Sequence, residues 1–207
     1  MTSQVGRVLR REPVQERSAA RVQRMLDAAA QLLDEVGYEA TTTSAVAQAA
    51  GVSVGSLYQF FPDRRAVLQA LAVRAFGRFS ERLAEAVRQA GLTQWRDAVD
   101  VVVDEYVAFT RTEPGMRVLS FGGPVDRQLL ALDEDNNAVV AARLGAVLVA
   151  VVPGLVLDED LTLALRIAVE AADAVLDLAF RRSSDGDPAV VAQMKQLLRS
   201  YLAGFLD

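Results

Sequence analysis

The chain has 207 residues, of which 52% are hydrophobic and 24% charged, so its composition is that of a folded protein. It contains no cysteine and no histidine, which excludes disulfides, thiolate or imidazole catalysis and the usual structural zinc sites. The net charge of −5 argues against a protein that coats nucleic acid with its whole surface, because phosphate binding needs lysine and arginine.

The N-terminal end is basic although the chain as a whole is acidic. Between Arg7 and Arg24 there are six arginines against two glutamates. A basic end on an acidic body predicts a localised contact with an anion such as DNA, although a solvated tail shows the same pattern. We expect residues 1–16 to form a flexible arm that can reach a minor groove or flanking phosphates.

Nothing in the sequence indicates export or a membrane span. The first residues are too polar for a signal segment, and the lack of disulfides predicts a cytoplasmic protein. The longest apolar run, residues 144–157, is interrupted by Pro153 and is shorter than the roughly 20 residues that a span requires. We therefore expect no membrane contact.

Helical periodicity recurs along the whole chain and strand signals are nearly missing, so the sequence predicts an all-α protein. A first amphipathic helix is predicted from about Glu16 to Val36, with Gly37 as its stop. Further helices are predicted at 43–50, 54–60, 63–89, 93–112, 115–121, 126–152, 158–182 and 188–206. They suggest an N-terminal helix-turn-helix domain over residues 17–65 and a larger helical domain over residues 66–207.

Residues 42–61 have the spacing of a helix-turn-helix. Thr42 or its neighbour Thr43 can cap the first helix of this motif, predicted at 43–50, which leaves other N–H groups of its first turn free to bind a phosphate. Ala47 is small where two helices must cross, Gly51 suits a left-handed turn, and Leu57 returns an apolar side chain to the shared core. Any two packed helices joined by a glycine turn can show this spacing, so it does not establish DNA binding by itself.

The second helix of this motif carries side chains suited to DNA. Ser53 is a good N-cap, which places Val54, Gly55, Ser56, Tyr58 and Gln59 on the outward side or the leading end of the helix. In helix-turn-helix proteins this end enters the major groove. Gln59 can hydrogen-bond adenine, Ser56 is permissive, and Tyr58 suits a phosphate or a thymine methyl group.

This region resembles the tetracycline-repressor (TetR) family of regulators. The resemblance covers residues 17–70 and is carried, at the family's spacing, by Gly37-Tyr38, Thr42, Val46-Ala47, Ala50-Gly51-Val52-Ser53, Gly55, Leu57-Tyr58, Phe61, Arg64 and Leu68. It implies that the DNA contacts are among Thr42, Thr43, Ser53, Gly55, Ser56, Tyr58, Gln59 and Arg64.

Two residues depart from the family's pattern. Phe60 stands where the family usually has histidine or tyrosine, which removes a polar group from what we expect to be a DNA-facing position. Arg64 replaces the usual lysine, which keeps the charge and permits bidentate phosphate binding.

The larger domain has a composition that suits an apolar small-molecule cavity, although aromatic residues at helical spacing more often pack in a core. The resemblance implies that an effector pocket exists there. The candidate lining residues are Trp95, Tyr106, Phe109, Met116 and Phe121, with Arg117, Asn136 and Arg143 as possible orienting polar groups.

The last two predicted helices suit a protein interface. The apolar arc of residues 188–206 is broader than a single core contact needs. The resemblance implies a four-helix interface between two copies, whose symmetry would set paired recognition helices on a near-palindromic operator. The acidic runs at 133–135 and 158–160 could in principle hold a hard cation, but acidic residues at a helix start are ordinary caps, and 158–160 stand at such a start.

The sequence therefore predicts a ligand-responsive repressor: a largely apolar small molecule binds the C-terminal domain of a homodimer and changes its affinity for double-stranded operator DNA. We expect no metal, no cofactor and no catalytic activity. The alternative is a ligand-independent helical DNA-binding or interaction protein. An enzyme would have only hydroxyls, carboxylates, arginines and the single Lys195, and these form no catalytic constellation.

Overall fold

The computed structural model describes residues 16–121 and 127–207, and the side chains of residues 18–120 and 137–207. This part of the chain is helical and has no strand, which confirms the predicted all-α class. The helices are α1 (Glu16–Ala40), α2 (Thr43–Ala49), α3 (Val54–Tyr58), α4 (Arg64–Ala90), α5 (Trp95–Thr112), α6 (Met116–Phe121), α7 (Arg127–Val151), α8 (Glu159–Arg182) and α9 (Pro188–Leu206). Apart from Glu16, the predicted basic arm lies outside the described residues.

The chain divides into two compact units. Among the described residues, the first unit contains 16–79 and 110–121, and the second contains 80–109 and 127–207. The domain boundary expected after residue 65 lies inside the first unit and stays a prediction. In neither unit does a described helix have the length and hydropathy of a membrane span.

The first unit is built on α1. Gly37, at φ +77°, interrupts the regular helix at the predicted stop, and a short turn continues to Ala40. The hydroxyl of the buried Thr41 donates to the Gly37 carbonyl oxygen at 2.7 Å, which satisfies an acceptor that the interrupted helix would leave open. The helix turns an almost fully buried face inward through Val22, Met25, Leu26, Ala29 and Leu33.

Helix α6 packs against α1 in the same unit. Gly115, just before α6, has φ +78°, and a Cβ at this position would lie 3.2 Å from both the Cα and the carbonyl oxygen of Ala30. The turn therefore runs directly on the backbone of α1, where only glycine fits without a shift. Nearby, the Nη1 atom of Arg78 in α4 lies 2.7 Å from Oε1 of Glu113.

The second unit places α8 between α7 and α9. Asp158 and Asp187 cap α8 and α9 by accepting hydrogen bonds from the N–H groups of Leu161 and Ala189 at 2.8 and 2.9 Å. The cap explains the acidic run at 158–160 as a helix start. The buried faces of the two helices consist of Leu161, Ala164, Leu165, Ala168, Leu176, Ala179, Phe180, Met194, Leu198 and Leu202.

Polar contacts join α5 to the C-terminal helix. The Nζ atom of Lys195 lies 2.6 Å from Oδ1 of Asp104, and Arg199 pairs with Asp100. The Nε1–H group of Trp95 donates to Oδ1 of Asp207 at 3.1 Å. Hydrogen bonds from Arg96 and Trp95 hold the pKa of the Asp207 carboxyl below its usual range.

Candidate DNA-binding interface

Helix α2 begins at a side-chain cap, as the sequence predicts. Thr42 has extended backbone angles, and its hydroxyl accepts a hydrogen bond from the N–H group of Ala45 at 3.2 Å. Val46 and Ala47 of this helix are 1% and 0% exposed. The cap thus fixes where α2 begins, and the small Ala47 allows a neighbouring helix to pack closely.

The turn between α2 and α3 depends on Gly51. Its φ of +65° lies in the left-handed region, which favours glycine over residues with a Cβ. The N–H groups of Gly51 and Val52 donate to the carbonyl oxygens of Gln48 and Ala47 at 3.1 and 2.9 Å. These bonds satisfy the last carbonyl groups of α2 and reverse the chain into α3.

Helix α3 is short and is fixed at both ends. The Ser53 hydroxyl accepts from the N–H group of Ser56 at 3.1 Å, and the N–H groups of Phe60 and Phe61 both donate to the Leu57 carbonyl oxygen at 2.9 Å. Leu57 and Phe61 are completely buried. A buried inner side and a capped start leave the other side of α3 facing outward.

The outward surface of α2 and α3 brings the predicted DNA-contacting residues together. The Thr43 hydroxyl lies 3.2 Å from the Tyr58 hydroxyl, so these two predicted contacts on different helices meet directly. The residues that are exposed are Thr42, Ser53, Gly55, Tyr58 and Gln59, whereas Thr43, Ser56 and Arg64 are half-buried. Four further exposed residues on these helices were not among the candidate DNA contacts: Ser44, Gln48, Ala49 and Val54.

Phe60 was wrongly expected to face DNA. Only 6% of the residue is exposed, and it lies with Phe61 in the interior of the unit. Phe60 follows the buried Leu57 by three residues, and its N–H group donates to the Leu57 carbonyl oxygen, so the two side chains lie on the same inward side of the turn. The departure from histidine or tyrosine therefore adds to the core and removes nothing from the outer surface.

Arg64 links the start of α4 to the end of α1. Its Nη1 atom donates to the carbonyl oxygens of Tyr38 and Glu39, each at 3.3 Å, and its guanidinium carbon lies 4.5 Å from the centre of the Tyr38 ring. The side chain remains 33% exposed. This arrangement holds a cationic group in a defined position while part of it faces solvent.

The described candidate effector-binding residues are divided between the two units. Trp95, Tyr106, Phe109 and Arg143 belong to the second unit, and Met116 and Arg117 to the first. Trp95 and Phe109 are 5% and 0% exposed, while Arg117 and Arg143 are exposed. The side chains of Phe121 and Asn136 lie outside the described part.

The second unit contains a cavity of about 520 Å³ between α7 and α8. Its walls include Ala141, Leu157 and Leu165, with Thr162 and Arg166 as polar members, and none of the candidate effector residues. The Nε atom of Arg166 lies 2.8 Å from a Glu170 oxygen. Within the described residues, no cluster of carboxylates could hold a metal ion.

Helices α8 and α9 expose large aliphatic side chains. Leu163, Ile167 and Leu178 of α8 are 60%, 46% and 44% exposed, and Leu197 of α9 is 49% exposed. A groove of about 570 Å³ runs between the two helices. On α8, Leu163, Ile167 and Leu178 lie on one face at α-helical spacing, with Ala171 and Ala174 between the last two, and such an apolar stripe is unusual for a face in contact with water alone.

An acidic row adjoins this stripe on α8. Asp177 pairs with Arg181 at 2.7 Å, and Glu170 accepts hydrogen bonds from Arg166 and from Asn137 of α7. Desolvation, followed by the carboxylates of Glu170 and Asp177, raises the pKa of Asp173. Arg166–Glu170 and Asp177–Arg181 are i, i+4 ion pairs, and Asp173 is the carboxyl of the row whose charged form is disfavoured.

Two family models match the chain. The model described as "Bacterial regulatory proteins, tetR family" matches residues 25–71, and that described as "Tetracyclin repressor-like, C-terminal domain" matches residues 93–206. The matched residues include the whole of the α2–α3 motif and most of the second unit. The second of these matches alone covers more than half of the chain.

Known proteins resemble the chain over different lengths. The HTH-type transcriptional repressor KstR of Rhodococcus jostii is 42% identical over 62 residues, which are 30% of this chain and 29% of KstR. The fatty acid metabolism regulator protein of Bacillus subtilis is 32% identical over 65 residues, 31% of this chain and 34% of that protein. The chain thus aligns with only about a third of the length of these curated relatives.

Solved structures match nearly the whole chain. The crystal structure of a TetR-family transcriptional regulator from Streptomyces coelicolor is 43% identical, with a TM-score of 0.75, and the match covers 92% of this chain and 99% of that one. The fatty acid degradation regulator FadR from Bacillus halodurans has a TM-score of 0.67 at 21% identity, covering 86% and 94% of the two chains, and shares the fold.

Proposed function

Since the chain belongs to the TetR family of transcriptional regulators, we propose that it is a ligand-responsive repressor that binds a near-palindromic operator as a homodimer. As a member of this family it is a regulator and not an enzyme. The observation that carries the proposal is the outward surface of α2 and α3, where the Thr43 and Tyr58 hydroxyls meet at 3.2 Å beside exposed polar and glycine residues.

The proposed DNA contacts divide into two kinds. Gln59 and Ser56 of α3 are suited to base edges, because an amide can pair with adenine and a hydroxyl accepts several partners. Thr42, Thr43, Tyr58 and Arg64 are suited to phosphates, which fix the position of the protein without reading sequence. The Arg64 guanidinium is pre-oriented by Tyr38, so little side-chain freedom is lost when it meets a phosphate. Ser53 and Gly55 have small side chains or none, so they let the start of α3 approach the groove closely.

The dimer would form through α8 and α9. Their exposed aliphatic residues, with Leu163 at 60% and Leu197 at 49% exposure, supply the apolar surface that a stable interface buries. The two-fold symmetry of such a homodimer would also relate two copies of α3, as a near-palindromic operator requires.

The effector is proposed to be a small, largely apolar molecule bound by the C-terminal domain. The support is compositional: Trp95, Tyr106, Phe109, Met116 and Phe121 supply apolar surface, with Arg117, Asn136 and Arg143 as candidate polar groups. Effector binding need change operator affinity by only a few kcal/mol to act as a switch. The ligand-independent alternative lacks this step and predicts no stabilisation by any small molecule.

Two experiments test the proposal. Purified protein is used to select duplexes from a randomised pool, and the selected sequences are expected to share a near-palindrome that the protein binds at moderate salt. Recovery of no common sequence would refute the repressor. A thermal-shift screen against apolar metabolites, drugs and acyl thioesters tests the effector, because a ligand that binds the folded state must raise the melting temperature. A selected operator without any stabilising ligand would favour the ligand-independent alternative.

A further inference from the structure

The first turn of α3 presents an apolar side chain to the outside. Val54 is the first residue of the helix and is 38% exposed. The residues beside it are exposed as well: Ser53 has a short polar side chain and Gly55 has no side chain. Val54 occupies the leading end of the helix, from which helix-turn-helix proteins contact base edges.

Short side chains allow this turn to approach a base edge closely. A Cβ at Gly55 would meet no described atom within 4 Å, so the space beside Val54 is open. The longer Tyr58, one turn later, has its hydroxyl 3.2 Å from the Thr43 hydroxyl of α2. Tyr58 is therefore directed towards α2, and Val54 is the apolar group that the first turn offers to a ligand.

The apolar side chain of Val54 limits which groups of the DNA it can recognise. It has no donor or acceptor, and the apolar feature of the major groove is the 5-methyl group of thymine. Its branched side chain is stiff, so it loses little rotamer freedom on contact. We propose that Val54 recognises a thymine of the operator through the 5-methyl group and thereby helps to determine which operator is bound. This inference rests on the proposed function, because α3 must enter the major groove.

The test removes the methyl groups one at a time. In the selected operator, each thymine is replaced in turn by deoxyuridine, which lacks only the 5-methyl group. At one thymine position of a half-site, uracil is expected to lower the affinity of the wild-type protein about fourfold, the value of one buried methyl group. Val54→Ala is expected to lose this sensitivity at that position and to keep the wild-type response at the others.

Val36→Ala provides the matched control. Val36 lies on α1 in the same unit and is 51% exposed, so the substitution removes the same atoms from a second exposed valine. It is expected to keep the full wild-type response to uracil. Val54→Ala is expected to fold normally, because alanine is the better helix former, and a circular-dichroism melt checks this.

The outcomes separate the inference from the function on which it rests. A uracil response in Val54→Ala equal to the wild-type response would overturn the inference, as would a wild-type protein that responds at no thymine. Loss of the response in Val36→Ala as well would also overturn it. If the protein selects an operator but no deoxyuridine replacement changes its affinity, the proposed role of Val54 is wrong and the proposed function stands. If it selects no sequence, the proposed function fails first.

Discussion

The α2–α3 surface of the first unit and the α8–α9 surface of the second unit expose different kinds of side chain. In α2 and α3 Val46 and Leu57 are buried, at 1% and 0% exposure, and the residues that face out carry mainly hydroxyl or amide groups or are glycine, with Val54 as an aliphatic exception. In α8 and α9 large aliphatic side chains remain exposed, with Leu163 at 60%. A capped polar surface suits a polyanion, and an apolar stripe suits a protein partner. The contrast assigns one proposed contact to each surface.

A leucine-to-alanine substitution should mainly lower folding stability in the first region and mainly weaken dimerisation in the second. Leu57→Ala is expected to lower the free energy of unfolding by about 2–5 kcal/mol, because it opens a cavity in a closed core. Leu163→Ala removes an exposed side chain and should raise the dimer dissociation constant about tenfold or more, since apolar burial at the interface is lost. Urea unfolding and sedimentation equilibrium measure the two effects. Unchanged self-association of Leu163→Ala would contradict the assignment of α8 to the dimer.

Two glycines of the first unit offer a finer comparison. Gly51→Ala should destabilise the protein by about 1–2 kcal/mol, because φ is +65° at this turn. Gly55→Ala has an ordinary φ and open space, so it should stabilise α3 by up to about 1 kcal/mol. The added methyl group should nevertheless weaken operator binding. Thermal melts and fluorescence anisotropy check the pair, and wild-type affinity in Gly55→Ala would contradict a close approach of α3 to DNA.

Tyr58→Phe removes only the hydroxyl that meets Thr43. The expected result is a roughly five- to tenfold loss of operator affinity, equivalent to about one hydrogen bond, with the melting temperature unchanged. Tyr201→Phe on α9 is the control in the other region and should leave DNA affinity as it is. Equal losses in both variants would show that the hydroxyl at residue 58 has no particular role.

The smallest expected effect lies in the acidic row of α8. Because its pKa is raised, Asp173 binds a proton more tightly in the folded than in the unfolded chain. Its ionised form therefore opposes folding at neutral pH, and this opposition is relieved as the pH falls through the raised pKa towards the ordinary value of 3.8. Asp173→Asn should raise stability near neutral pH and have less effect in acid.

Asp177→Asn is the control for this pH dependence. The Asp177 carboxylate pairs with Arg181 at 2.7 Å, so its removal should not produce the same gain in stability. Urea unfolding at several pH values measures both variants. A gain from Asp173→Asn that grows as the pH falls would contradict the sign worked out from the raised pKa.

Features that depend on neighbouring residues along the chain were predictable from sequence. The caps at Thr42 and Ser53 and the turn at Gly51 are local, so both the helix ends and the outline of the candidate site could be inferred. Phe60 was placed wrongly by analogy with the family's pattern, although its spacing of three residues from the core residue Leu57 indicates the inward side of the helix. Helical periodicity shows which side of a helix is apolar. It does not show whether the facing space is filled, so the effector-binding candidates could only be chosen by composition.

We expect the outward surface of α2 and α3 to bind the operator and that of α8 and α9 not to bind it. Because the chain has no cysteine, Gln59→Cys and Gln193→Cys each create one labelling site at an exposed glutamine. Each variant is labelled with a thiol-reactive photocrosslinker and irradiated with the selected operator. Crosslinking to operator DNA is expected from residue 59 and not from residue 193. Crosslinking from residue 193 with none from residue 59 would contradict this expectation.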